Sequence, residues 1–103
     1  MNKIITERLP ELILLCEKYR VETMYLFGSA TTGAFNDRSD IDLLIAFEKG
    51  ISFEEYADNY FDLAYALEDL FGRDVDLVTE NSLSNPYFIA SVNRTKQLIY
   101  AAA

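Results

Sequence analysis

Three aspartates and a Gly-Ser pair are the residues of this chain whose types and spacing suit chemistry. Asp40 and Asp42 flank Ile41 at the start of an apolar run that continues through Leu43, Leu44, Ile45, Ala46 and Phe47. In a strand, side chains two apart project from the same face, so these two carboxylates stand side by side. Two anions held together repel, and a shared cation relieves the cost. The chain has no His, and oxygen-only ligands favour a hard ion such as Mg²⁺. Asp76 lies in a second strand-like segment and completes a three-carboxylate cluster if the two strands are neighbours. Asp74 has the same parity, so spacing alone does not choose between them.

Gly28-Ser29 closes an earlier apolar segment, Val21-Glu22-Thr23-Met24-Tyr25-Leu26-Phe27. A glycine there lets the backbone approach a ligand, and Ser29 adds a hydroxyl donor. The residues that follow are expected to begin a short helix whose free N–H groups attract anions. Phosphate cradle and carboxylate pair then share one edge of a sheet, and a nucleoside triphosphate with Mg²⁺ fits both halves. Taken singly, Asp-x-Asp is an ordinary solvated strand end and Gly-Ser an ordinary turn. The combination, in this order and between apolar strands, is what points to phosphoryl chemistry.

The elements that must position these residues are legible in outline. Leu9, Leu12, Ile13, Cys16 and Tyr19 recur at helical spacing, predicting a helix over residues 7–19 with Thr6 as N-cap and Pro10 in its first turn. Strands are predicted over 21–27, 41–47 and 74–79. The longest helix is predicted over 53–71. Phe53, Tyr56, Ala57, Tyr60, Leu63, Ala64, Leu67, Leu70 and Phe71 form its apolar face, Glu55, Asp58, Asp62 and Asp69 lie opposite, and Gly72 is its stop. Its Tyr and Phe residues are expected to be mostly core. Tyr65 falls outside the apolar arc with Phe61 at its margin, as a rim over the core or as a partner-facing patch. Asn85-Pro86 starts a further helix, and residues 98–100 read as a last edge strand. The fold class is α/β (α+β), helices packed on a small mixed sheet.

Composition sets the outer limits. At 103 residues the chain is expected to be a single domain, 1–103. Seventeen Asp and Glu against nine Lys and Arg leave a net charge of −8, which repels phosphate backbones and argues against a nucleic-acid partner. The absence of His excludes His-based triads and His-rich zinc sites. The single cysteine, Cys16, excludes an internal disulfide, is expected to be a buried structural thiol, and fits a cytoplasmic setting. No apolar run reaches bilayer-spanning length, so no membrane association is expected.

The string Leu26-Phe27-Gly28-Ser29, ten residues, then Ser39-Asp40-Ile41-Asp42-Leu43 resembles the signature of the DNA polymerase β-like nucleotidyltransferases. The short length resembles the minimal nucleotidyltransferase (MNT) subfamily of prokaryotes, and the resemblance extends through Asn85-Pro86 and Leu98-Ile99-Tyr100. It implies that Asp40 and Asp42 bind Mg²⁺, that Asp76, in its Val-Asp-Leu-Val context, is the third carboxylate, and that Gly28 and Ser29 hold the triphosphate. It further implies two Mg²⁺ ions, ATP as substrate and AMP transfer to a hydroxyl. The implied partner is a HEPN-domain toxin, modified on a tyrosine, with the MNT protein as antitoxin. A non-catalytic module that neutralises its partner by contact is the alternative. Many members carry Arg twice in the Gly-Ser loop. This chain has Ala30 and Thr32 at those positions, and Arg38, further along, is expected to pair with Asp37.

Overall fold

The computed structural model describes residues 1–103. Along the chain run α1 (Lys3–Glu7), α2 (Leu9–Lys18), β1 (Val21–Phe27), a 3₁₀ turn (Gly28–Thr31), β2 (Ile41–Phe47), α3 (Phe53–Phe71), β3 (Val75–Thr79), a second 3₁₀ turn (Glu80–Ser82), α4 (Pro86–Thr95) and β4 (Gln97–Ala101). The strands form one sheet in the order β3-β2-β1-β4. β1 is antiparallel to both β2 and β4, whereas β2 and β3 are parallel. The parallel pair needs a long crossover, and α3 supplies it.

Strand parity sorts the sheet into two faces. Met24, Leu26, Ile41, Leu43, Ile45 and Leu77 point to one, where Ile5 of α1, Leu12 and Cys16 of α2, and Leu63 and Leu67 of α3 cover them. Phe27 and Leu44 point to the other and pack with Val92 of α4, bordered by Tyr25, Val78 and Leu83. β2 is thus covered on both faces, which is why its sequence is almost unbroken apolar residues. Asp42 is the exception, on the α4 side. No helix is long and apolar enough to cross a membrane.

α3 has the predicted limits because both ends carry strong signals. The Ser52 hydroxyl accepts from the Glu55 N–H at 3.1 Å. Gly72 takes a left-handed φ of 64° and donates to the Glu68 carbonyl at 2.8 Å. Asn85 caps α4 as expected, accepting from Tyr87 and Phe88, and the last edge strand is present as β4.

Three expectations need correction. The helix expected over 7–19 is α2, which starts only at Leu9, and a separate short helix, α1, precedes it; Pro10 has no N–H to bond the Thr6 carbonyl, so the two do not run together. Thr6 is not the N-cap of α2: that position is Arg8, with no side-chain cap bond. Thr6 lies inside α1, its hydroxyl donating back to the Lys3 carbonyl, while Asn2 caps α1 by accepting from the Ile4 N–H at 2.9 Å. The aromatic residues of α3 are not mostly core: Phe53, Phe61 and Tyr65 are 85%, 57% and 69% exposed, and Tyr56, Tyr60 and Phe71 are half-buried. Only Leu63 and Leu67 of this helix are buried.

Candidate active site

One row of residues crosses three strands on the α4 face. Phe27 of β1 pairs with Asp42 of β2, and Asp42 pairs with Asp76 of β3. Gly28 follows Phe27 directly. Asp40 lies one residue outside β2 and shares the parity of Asp42. Asp42 is half-buried, whereas Asp40 and Asp76 are exposed. Burial, then the charge of Asp76, then that of Asp40, push the Asp42 carboxyl up to about 6. Asp74 plays another part: it precedes β3, and its main-chain carbonyl accepts from the Ile41 N–H at 3.1 Å. The strand register therefore separates the two aspartates that spacing left equivalent.

No basic side chain offsets this charge. Both ion pairs of the molecule belong to Arg20, at the α2–β1 turn, with Glu48 and Glu55. No three acidic side chains converge closely enough to grip one ion unaided. The donor set is nonetheless that of a hard divalent cation: carboxylate oxygens only, on one face, repelling one another and lacking any counter-charge.

Gly28 is required twice over. Its φ of 72° lies in the left-handed region. A Cβ there would also collide with Asp42 Oδ2 and lie 3.1 Å from Asp42 Cγ. The absence of a side chain at 28 is what allows the Asp42 carboxylate to lie against the Gly-Ser backbone.

The expected short helix after Ser29 is a single 3₁₀ turn that starts at Gly28. It is held by its own threonines, Thr31 Oγ1 donating to the Gly28 carbonyl at 2.7 Å and Thr32 Oγ1 to the Ser29 carbonyl at 3.0 Å. One turn carries little dipole, so the groups it offers an anion are single N–H donors and the Ser29 hydroxyl. Ala30 is buried, and its carbonyl accepts from the Asn2 side chain. This turn is thus anchored to the core at Ala30. Arg38 is exposed and makes no ion pair with Asp37. The loop is stabilised instead by the Arg38 N–H on Asn36 Oδ1.

Two contributors escaped the sequence. Phe88 of α4 meets Phe27 edge-on, 5.9 Å between ring centroids, so α4 closes over the end of the row. Tyr60 of α3 donates its hydroxyl to the Leu77 carbonyl at 2.7 Å, next to Asp76. Neither has a local signature, because each joins segments far apart in the chain. The row itself is open: none of the three surface cavities includes Gly28, Ser29, Asp40, Asp42 or Asp76.

Residues 11–103 match the family model described as polymerase beta, nucleotidyltransferase. A Methanocaldococcus jannaschii protein, provisionally named a protein adenylyltransferase, is 38% identical over 84% of this chain and 83% of its own length. The protein adenylyltransferase MntA of Thermococcus cleftensis is 36% identical over 69% of this chain and 68% of its own. Among solved structures, one provisionally described as a minimal nucleotidyltransferase superposes with a TM-score of 0.72 at 33% identity, covering 94% of this chain and 95% of that one. The fold is also shared with the MNT antitoxin solved in complex with the tri-AMPylated HEPN toxin of Shewanella oneidensis. That match has a TM-score of 0.65 at 21% identity and covers 94% of this chain and 72% of that one.

Proposed function

This chain belongs to the polymerase beta nucleotidyltransferase family, and from that premise we propose that it transfers AMP from ATP to a tyrosine of a HEPN-domain toxin, acting as the antitoxin. The observation that carries the proposal is the row Phe27–Asp42–Asp76 with Gly28 abutting the Asp42 carboxylate. The names of the adenylyltransferase relatives support the reaction, and the toxin complex of a structural neighbour supports the partner.

In this reading Asp40 and Asp42 would hold one Mg²⁺ and, together with Asp76, a second. Bound there, such ions would neutralise phosphate charge and favour the ionised form of the acceptor hydroxyl. The chain does the rest. The bare backbone at Gly28 lets the triphosphate lie close, and the Ser29 hydroxyl donates to a phosphate oxygen. Asp76, exposed on an edge strand, accepts the proton of the acceptor. The acceptor oxygen bonds to the α-phosphorus as the bond to the β-phosphate bridging oxygen breaks, and pyrophosphate leaves. An open row rather than a pocket suits an acceptor carried on another protein. The excess acid on exposed positions such as Asp58, Asp62 and Asp69 suits a basic partner and disfavours a nucleic-acid acceptor. The unpaired thiol of Cys16 and the use of ATP suit a cytoplasmic setting.

Incubation with α-labelled ATP, Mg²⁺ and a HEPN partner is expected to label the partner on tyrosine, and Asp42→Asn is expected to abolish labelling. Equal labelling by that variant overturns the assignment. A second reading, neutralisation by contact alone, draws on the exposed pair Phe61 and Tyr65. A stable complex that is never labelled favours it.

A further inference from the structure

We propose that Arg73 is a positioning residue for the carboxylate row, tying the loop that delivers Asp40 to the strand start that delivers Asp76. The proposal rests on the reading of those carboxylates as a metal site. Asp40 lies outside β2, so its position depends on the loop before it. Arg73 reaches that loop from the α3–β3 connection. Its Nη1 donates to the Ser39 carbonyl at 3.0 Å and to the Asn36 carbonyl at 3.2 Å. Its guanidinium carbon lies 4.8 Å from the centroid of the Phe35 ring, and Phe35 packs in turn against the main core.

The loop closes on itself through Asn36 N–H to Ser39 Oγ and Ser39 N–H to the Asn36 carbonyl, both at 3.0 Å. Arg73 thus grips a preformed turn by the two carbonyls at its ends, one of them the residue directly before Asp40. One residue further along the chain, the Asp74 carbonyl takes the Ile41 N–H. These contacts bracket Asp40 on both sides from the segment that leads into Asp76. Arg73 forms no ion pair, so its role is geometric: Nη1 alone bonds both carbonyls while the guanidinium lies over the Phe35 ring. A lysine reproduces the charge but not the planar group over Phe35.

Partners that orient metal ligands cost about 10- to 100-fold in metal affinity when removed. The test is Mn²⁺ binding to the full chain, followed by electron paramagnetic resonance, for wild type, Asp42→Asn, Arg73→Lys, Arg73→Ala and Phe35→Leu. Wild type is expected to bind and Asp42→Asn to fail. Arg73→Lys is expected to bind about 10-fold more weakly and Arg73→Ala up to about 100-fold more weakly, with Phe35→Leu, which keeps the carbonyl bonds, in between wild type and Arg73→Ala. Transfer is expected to fall in step, and the Mg²⁺ concentration needed for half-maximal transfer to rise by the same factor. If Arg73→Ala does not fold, Arg73→Lys and Phe35→Leu decide. Wild-type affinity in both Arg73→Lys and Phe35→Leu overturns the role of Arg73 and leaves the metal site standing. Failure of wild type to bind Mn²⁺ overturns the metal reading and the proposal with it.

Discussion

Asp42 and Asp76 stand directly opposite each other in the parallel β2–β3 pair, with no Lys or Arg paired to either. Like charges facing each other across a ladder destabilise a sheet. Phe27 on the third strand and Phe88 above it take solvent away from one side of the row, which sharpens the repulsion. Such an arrangement is a strain that a bound cation removes, and stability and catalysis should therefore separate at Asp42.

Asp42→Asn is expected to abolish transfer while making the metal-free protein more stable at neutral pH. The Asp42 carboxyl is pushed from 3.8 up to about 6, so the folded chain holds this proton more tightly than the unfolded chain. Its stabilising contribution is fully present below pH 3.8 and is lost as the pH rises through about 6. The carboxylate is half open to water, and screening limits the cost at pH 8 to about 1 kcal/mol, or about 5 °C in Tm. Thermal melts without metal should place Asp42→Asn above wild type at pH 8, with the gap closing towards pH 4. A variant that melts lower than wild type at pH 8 contradicts this account.

Gly28→Ala should damage both fold and reaction. The left-handed φ costs an alanine about 1–2 kcal/mol, and the added Cβ displaces Asp42 Oδ2. Misplacement of a reacting group by about 1 Å lowers rate by about 100-fold. Gly33→Ala is the control, because its Cβ meets nothing within 4 Å; it should leave Tm and labelling unchanged. Equal effects of the two substitutions would show that contact with Asp42 is irrelevant.

The site was legible to the extent that it is local. Gly28-Ser29 and Asp40-Ile41-Asp42 are short strings whose geometry follows from strand parity, and the end of α3 was marked by Gly72, whose capping chemistry is written in one residue. Asp76 against Asp74 was not decidable from parity, because register between strands depends on how α3 carries the chain across. The separate helix α1 was hidden because Leu9, Leu12 and Cys16 all lie after Arg8, in α2, and their spacing carries no information about the residues before it. The exposure of Phe53, Phe61 and Tyr65 was hidden for a different reason: hydrophobic type says which residues can be buried, not which ones the sheet has room to cover. Arg73 and Tyr60 act on main-chain carbonyls 34 and 17 residues away, and no local pattern encodes such bonds.

Cys16 should be chemically inert in the native protein. Burial, reinforced by the Glu17 charge, pushes its thiol up to about 12, and its Sγ lies 3.8 Å from Met24 Sδ in the core. Below that pH the reactive thiolate is scarce, and the side chain is closed to reagents. Iodoacetamide at pH 8 should modify the folded chain only at the rate at which it opens, and denaturant should accelerate labelling steeply. Rapid labelling under native conditions would place this residue outside the core.

Phe61 and Tyr65, at 57% and 69% exposure on neighbouring turns of α3, separate the catalytic reading from the contact reading. Exposed positions of this kind change stability by about 0.5 kcal/mol or less when truncated. Aromatic anchors of an interface cost about 2 kcal/mol or more in binding, a loss of about 30-fold. If these side chains are the partner's foothold, Phe61→Ala with Tyr65→Ala should keep the Tm and the Mn²⁺ affinity of wild type yet weaken complex formation, measured by calorimetry. Neutralisation of the toxin should then fall with binding alone if contact is the mechanism. If AMP transfer is the mechanism, raising the concentration of the double variant should restore both labelling and neutralisation, because a modified tyrosine persists after the complex dissociates. Unchanged affinity in the double variant would return the pair to the role of an exposed rim over Leu63 and Leu67.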